Sequence, residues 1–174
     1  MLKIRKMKKL TLLLITLFLM SCQQEKIGYV DNVKVMEGYQ KKKDVEAMFQ
    51  LKSDVFTKKR DSISQAFQLE AQELQNKSKG MSQESAQEEF DMLQQKGQII
   101  GQQLQREEQQ MQRMGQLRMD TVINEVRKVI KDYGAANGYS FILTGGDGGS
   151  VLYGKEAADI TADVLKVLNE AYEK

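Results

Sequence analysis

Enzyme chemistry in a chain of this size needs histidine, cysteine, paired carboxylates or a glycine-framed phosphate loop, and these 174 residues hold little of it. Histidine is absent and Cys22 is the only cysteine, so no usual zinc or haem site and no Ser/His/Asp or Cys/His set can be assembled. The nearest approach to a nucleotide motif is Gly149-Ser150-Val151-Leu152-Tyr153-Gly154-Lys155, which has the glycine and lysine spacing of a phosphate loop. Glu156 stands where Ser or Thr should hold magnesium, and the intervening residues read as a strand. Gly145 to Gly149 lacks a helix starting directly after it to offer its N-terminus to an anion. The acids are distributed along exposed arms. The sequence therefore predicts no enzyme, no cofactor and no metal, and Cys22 is left as the one residue with covalent chemistry to do.

The chemistry expected of it is acylation, the alternative being an ordinary secretion signal that happens to contain a cysteine. Lys3, Arg5, Lys6, Lys8 and Lys9 precede an apolar run, Leu10 to Met20, too short to span a bilayer but suited to a secretion signal. The run ends in Leu19-Met20-Ser21-Cys22, which resembles a bacterial lipoprotein signal with Cys22 as the lipidated first residue of the mature chain. Met20 departs from the small or branched residue usual there. A lone cysteine allows no intrachain disulfide. The full chain carries 26 Lys and Arg against 24 Asp and Glu. Removing residues 1–21 takes away five of those positive charges and no negative ones, which turns +2 into -3. Nucleic acid is therefore not expected as a partner, since duplex binding calls for a concentrated basic face.

The elements that remain to be positioned are dominated by helix. From Gln83 to Tyr133 no proline occurs, and Ala86, Phe90, Leu93, Gly97, Ile100 and Leu104 step by threes and fours, the seam of a helix that packs along a neighbour. Met111, Met114, Val122, Val126, Val129 and Tyr133 continue it after a shift near Arg118. At 1.5 Å per residue such a helix is about 75 Å long and must project. Tyr39 to Lys77 supplies the partner, with Phe49, Phe56 and Ile63 seven apart and Phe67 and Leu74 seven apart. Between them lies Ser78-Lys79-Gly80-Met81-Ser82, with Gly80 suited to end one helix in a left-handed turn and Ser82 to cap the next. Residues 39–133 thus form an antiparallel hairpin with its tip near 78–82. Its many glutamines keep the outer faces soluble. Gly97, Gly101 and Gly115 either soften the return arm or admit a close neighbour, and the sequence leaves both open.

The flanks are short. Residues 22–38 give a tether and one strand, Ile27 to Asp31; residues 134–174 give strand-like runs at Tyr139–Thr144 and Ser150–Tyr153, expected to form a β-hairpin, then an amphipathic helix starting at Asp159 or Thr161. Three short strands and one helix bury too little alone. Several chains are expected to pool them, with Ile27, Val30, Ile142 and Val151 in the shared core.

These residues carry a resemblance. Ile27-Gly28-Tyr29-Val30-Asp31 leading through Val35 and Tyr39 into a long helix, then Phe141-Ile142-Leu143, Val151-Leu152-Tyr153 and the run Asp159 to Asn169, is similar to the Skp (OmpH) family of periplasmic chaperones. The resemblance covers nearly all of the mature chain. It implies a mainly α fold with a small β body, a homotrimer with helical tentacles around a cavity, and ATP-independent holding of unfolded outer-membrane β-barrel proteins in the periplasm. Two departures stand out: well-known members are soluble and strongly basic, whereas this chain has Cys22 for a membrane anchor and a mildly acidic mature sequence. Holding would then rest on Met48, Phe49, Phe56, Phe67, Met111 and Met114, most of which also suit a seam zipping the arms together. The competing expectation is a structural envelope lipoprotein whose coiled hairpin acts as a spacer or docking module and holds no client.

Overall fold

A computed structural model describes residues 25–173. The signal segment and Cys22 lie outside the described residues. Six principal elements follow in order: β1 (Ile27–Asp31), α1 (Asn32–Gly38), α2 (Gln40–Lys77), α3 (Gln83–Ala136), β2 (Phe141–Gly145) and α4 (Thr161–Tyr172), with single 3-10 turns at Ser78–Gly80 and Glu156–Ala158. The fold is mainly α, built on an antiparallel pair of long helices and a small two-stranded sheet. It divides into two compact units, residues 25–35 with 129–164 and residues 36–128 with 165–173.

In the sheet-bearing unit β1 and β2 run parallel, with Ile27 beside Phe141 and Asp31 beside Gly145. Val30, Val35, Ile160 and Val164 form its buried centre. The joints are made by side-chain oxygens. Asp31 Oδ1 accepts from the amides of Val33 and Lys34 and so caps α1. Its own amide donates to Thr161 Oγ1, and Asp159 Oδ1 accepts the Thr161 amide at the start of α4. The capping amides, that of Lys34 first, hold the Asp31 carboxyl below its ordinary pKa.

The expected β-hairpin does not form. β2 pairs instead with β1, more than a hundred residues earlier in the sequence, and Ser150–Tyr153 is not a strand; among the described residues a single backbone bond, Val151 N–H to Thr144 O, ties it to β2. The chain leaves β2 through Gly146 and Gly148, both at positive φ. Gly146 is required because, besides its positive φ, a Cβ there would run into the Asp31 carboxylate. Leu152 and Tyr153 then stand in water, since a third strand has no face in this unit on which to bury them.

Helix boundaries also moved. α3 continues through Gly134, where a Cβ would meet Ile142 at 2.9 Å, and ends before Gly138 at φ +69. At the tip Gly80 is not left-handed; the 3-10 turn reverses the chain instead, and Ser82 caps α3 by accepting the Ser85 amide.

In the helical unit the arms pair in one register throughout. Lys41 pairs with Glu125, Lys59 with Glu107, Glu70 with Lys96 and Lys77 with Glu89. Along α2 these positions advance by 18, 11 and 7 residues, and along α3 they retreat by the same steps. Steps of 11 favour a right-handed supercoil and steps of 7 a left-handed one, so their mixture averages the 3.6 residues per turn of a straight helix. The base of the pair is closed by the last turns of α4. Leu165 fills the space beside Gly38, Tyr172 meets Tyr39 edge-on with ring centroids 6.3 Å apart, and Asn169 Oδ1 accepts the Gln40 amide in place of a local N-cap.

Candidate functional site

Two phenylalanines decide how the arms meet. Phe49 lies on Gly115 and Phe67 on Gly97, 18 residues apart on each arm, and a Cβ on either glycine would come within 2.8 Å of the ring. The glycines are therefore sockets. Gly101 has nothing within 4 Å and is no socket. With the rings seated, the inward face of α3 passes through Glu89, Leu93, Gly97, Ile100, Leu104, Glu107, Met111, Gly115, Met119, Val122 and Val126, so it has no break near Arg118. Phe90 and Met114, expected in the seam, are turned out and are 40% and 46% exposed. Glu107 holds a true seam position because Lys59 meets it across the arms.

The six candidate holding residues separate accordingly. Phe49 and Phe67 fill sockets, Phe56 is buried between the arms and Met111 is half-buried. Met48 and Met114 face solvent. Beside them lie Leu51 and Val55, 64% and 60% exposed, on a stretch of α2 that is apolar on more than one face. Together with Val45, Phe56 and Met111 they line a groove of about 440 Å³ between the arms. Lys52, Lys59, Glu107 and Arg118 border it. Contiguous apolar side chains left in water are a feature of interaction surfaces. The one carboxylate on the groove, Glu107, is paired with Lys59, and among the described residues no group of three or more His, Cys, Asp or Glu side chains is placed to hold a metal ion; what the groove can do is remove apolar side chains from water.

Of the four residues expected in a shared core, Val30 is buried within its own chain, Ile142 and Val151 are half-buried, and Ile27 is half exposed. Phe141, Leu143, Leu152 and Tyr153 add further apolar surface in the same unit.

Long paired helices, a minimal parallel sheet and an apolar groove between the arms define a fold of the helical-hairpin class. Residues 26–168 match the family model described as outer membrane protein (OmpH-like), and the chain belongs to that family. No match is found among curated proteins. Among solved structures it is similar to a candidate outer membrane chaperone (OmpH-like) from Caulobacter crescentus, with a TM-score of 0.74 at 18% identity over 84% of this chain and 85% of that one. That likeness is one of fold.

Proposed function

We propose that this protein is an ATP-independent holdase that keeps unfolded outer-membrane β-barrel proteins soluble in the periplasm. The single observation that carries the reading is the groove between the arms, where Met48, Leu51, Val55 and Met114 stay in water although the helices could have turned polar residues there. Methionine adapts to irregular partners, which suits a surface that must accept many sequences. Family membership and the fold shared with a candidate chaperone support the same role. Three chains pool their sheet-bearing units in a homotrimer, and a lipid on Cys22 tethers the mature chain to the membrane.

The test is dilution of a urea-denatured β-barrel protein into buffer containing the mature protein, followed by light scattering. Suppression of aggregation at stoichiometric ratios is expected. Met48→Ser with Leu51→Ser and Met114→Ser should weaken protection severalfold with helicity unchanged. A protein that scatters like the buffer control holds no client, and a role as envelope spacer would replace this one. The anchor is tested separately by Cys22→Ser, which should move the protein from the membrane pellet to the soluble or unprocessed fraction.

A further inference from the structure

The groove coincides with a gap in the ion-pair ladder. Between Lys41–Glu125 and Lys59–Glu107 the common register sets Met48 opposite Arg118, Lys52 opposite Met114 and Val55 opposite Met111. Lys52 and Arg118 thus face methionine where the other rungs have a carboxylate. Neither has an acid three or four residues away on its own helix: Lys52 has Met48, Phe49, Val55 and Phe56 there, and Arg118 has Met114, Gly115, Thr121 and Val122. Both border the groove, and neither forms an ion pair among the described residues. They sit about one helical turn apart along the axis, roughly 6 Å, on opposite arms.

We propose that the groove selects unfolded segments in which apolar side chains are accompanied by two nearby carboxylates. The inference deepens the holdase reading and rests on it. The apolar side chains enter between Met48, Leu51, Val55 and Met114, and the carboxylates complete the two missing rungs on Lys52 and Arg118. A charge-assisted bond at the edge of an apolar groove is stronger than the same pair in open water. Selection is local, so it operates although the mature chain as a whole is slightly acidic.

The probes are three fluorescein-labelled peptides of one length, each alternating aromatic and polar residues, with two central polar positions occupied by Asp, Asn or Lys. Anisotropy is read against the full mature protein at low salt. The Asp peptide should bind about tenfold more tightly than the Asn peptide, and the Lys peptide more weakly than either. Lys52→Gln with Arg118→Gln should shrink the Asp advantage to within about twofold. Lys43→Gln with Lys58→Gln changes net charge equally but lies outside the groove lining, and should leave the advantage intact. Lys52→Glu with Arg118→Glu should transfer the preference to the Lys peptide. An Asp advantage that survives the glutamine pair, that is lost equally in the control pair, or that never appears overturns the proposal. If β-barrel aggregation is still suppressed while the peptides are not discriminated, only this inference fails. If neither is held, the holdase reading fails with it.

Discussion

Gly97, Gly101 and Gly115 share one helix, yet a methyl group would clash at the two sockets and not at Gly101. At Gly115 it would press on the Phe49 ring at 2.5 Å, whereas at Gly101 it would meet nothing within 4 Å. Overpacking of a seated ring costs about 1–3 kcal/mol, more than the roughly 1 kcal/mol gained by removing a helical glycine. Gly115→Ala should therefore lower the urea midpoint of the mature protein and Gly101→Ala should raise it by the equivalent of about 1 kcal/mol. Shifts of the same sign would refute the socket. Tyr39 offers a second test, because its ring is buried and its hydroxyl is pushed up to about 12, chiefly by burial and then by Glu125. An unfolded tyrosine titrates near 10. Its contribution to stability is therefore complete below about pH 10 and is lost as pH rises through the folded value. Tyr39→Phe should flatten the alkaline decline of the urea midpoint, and an unchanged slope would show that other groups cause it.

For the two arms, attraction and register come from different interactions. Burying an aromatic side chain contributes about 1.5–3 kcal/mol, while an exposed ion pair contributes about 0–1 kcal/mol. Phe49, Phe56, Phe67 and Leu74 therefore hold the hairpin shut, and the charges choose its alignment. A slip of one heptad toward the base would set Glu70 against Glu89, and a slip the other way would set Lys77 against Lys96. Each wrong register meets a like-charge pair. Lys59→Glu alone places a second acid against Glu107 and should cost about 1 kcal/mol, recovered when Glu107→Lys is added. Urea midpoints of the single and double variants check this. A double variant no better than the single would mean that the pair sets nothing.

Considered as a whole molecule, the chain leaves a surface that its own residues do not cover. Leu152 is fully exposed and Tyr153 nearly so, and Ile27, Phe141 and Leu143 are also open, all in the unit that carries the sheet. Ile142 differs from them because it packs against Gly134 within the unit. If chains assemble through the open residues, Leu152→Asp should reduce the mass measured by light scattering while circular dichroism stays unchanged. Ile142→Asp should damage the unit itself, since a carboxylate against Gly134 has no partner. A Leu152→Asp protein with the mass of the parent would remove this surface from the assembly.

The sequence by itself determined the helical arms, their antiparallel order, the first strand and the final amphipathic helix, because each depends on contacts at spacings of two to seven residues along one segment. The OmpH-like resemblance was legible in those same segments. Even the register was latent there: Phe49 and Phe67 are as far apart as Gly97 and Gly115, and the charges repeat at matching steps. Spacing within one arm states no alignment with the other, however, so the spacing alone puts Phe90 and Met114 inward, whereas the rings seated on Gly97 and Gly115 leave both turned out. The parallel β1–β2 pairing was equally beyond reach. It joins residues more than a hundred positions apart, whereas the hairpin expected at Tyr139–Tyr153 needed only neighbours. Tertiary structure decided between them because Asp31, Gly146, Thr161 and Asp159 meet only when both ends of the chain are brought together.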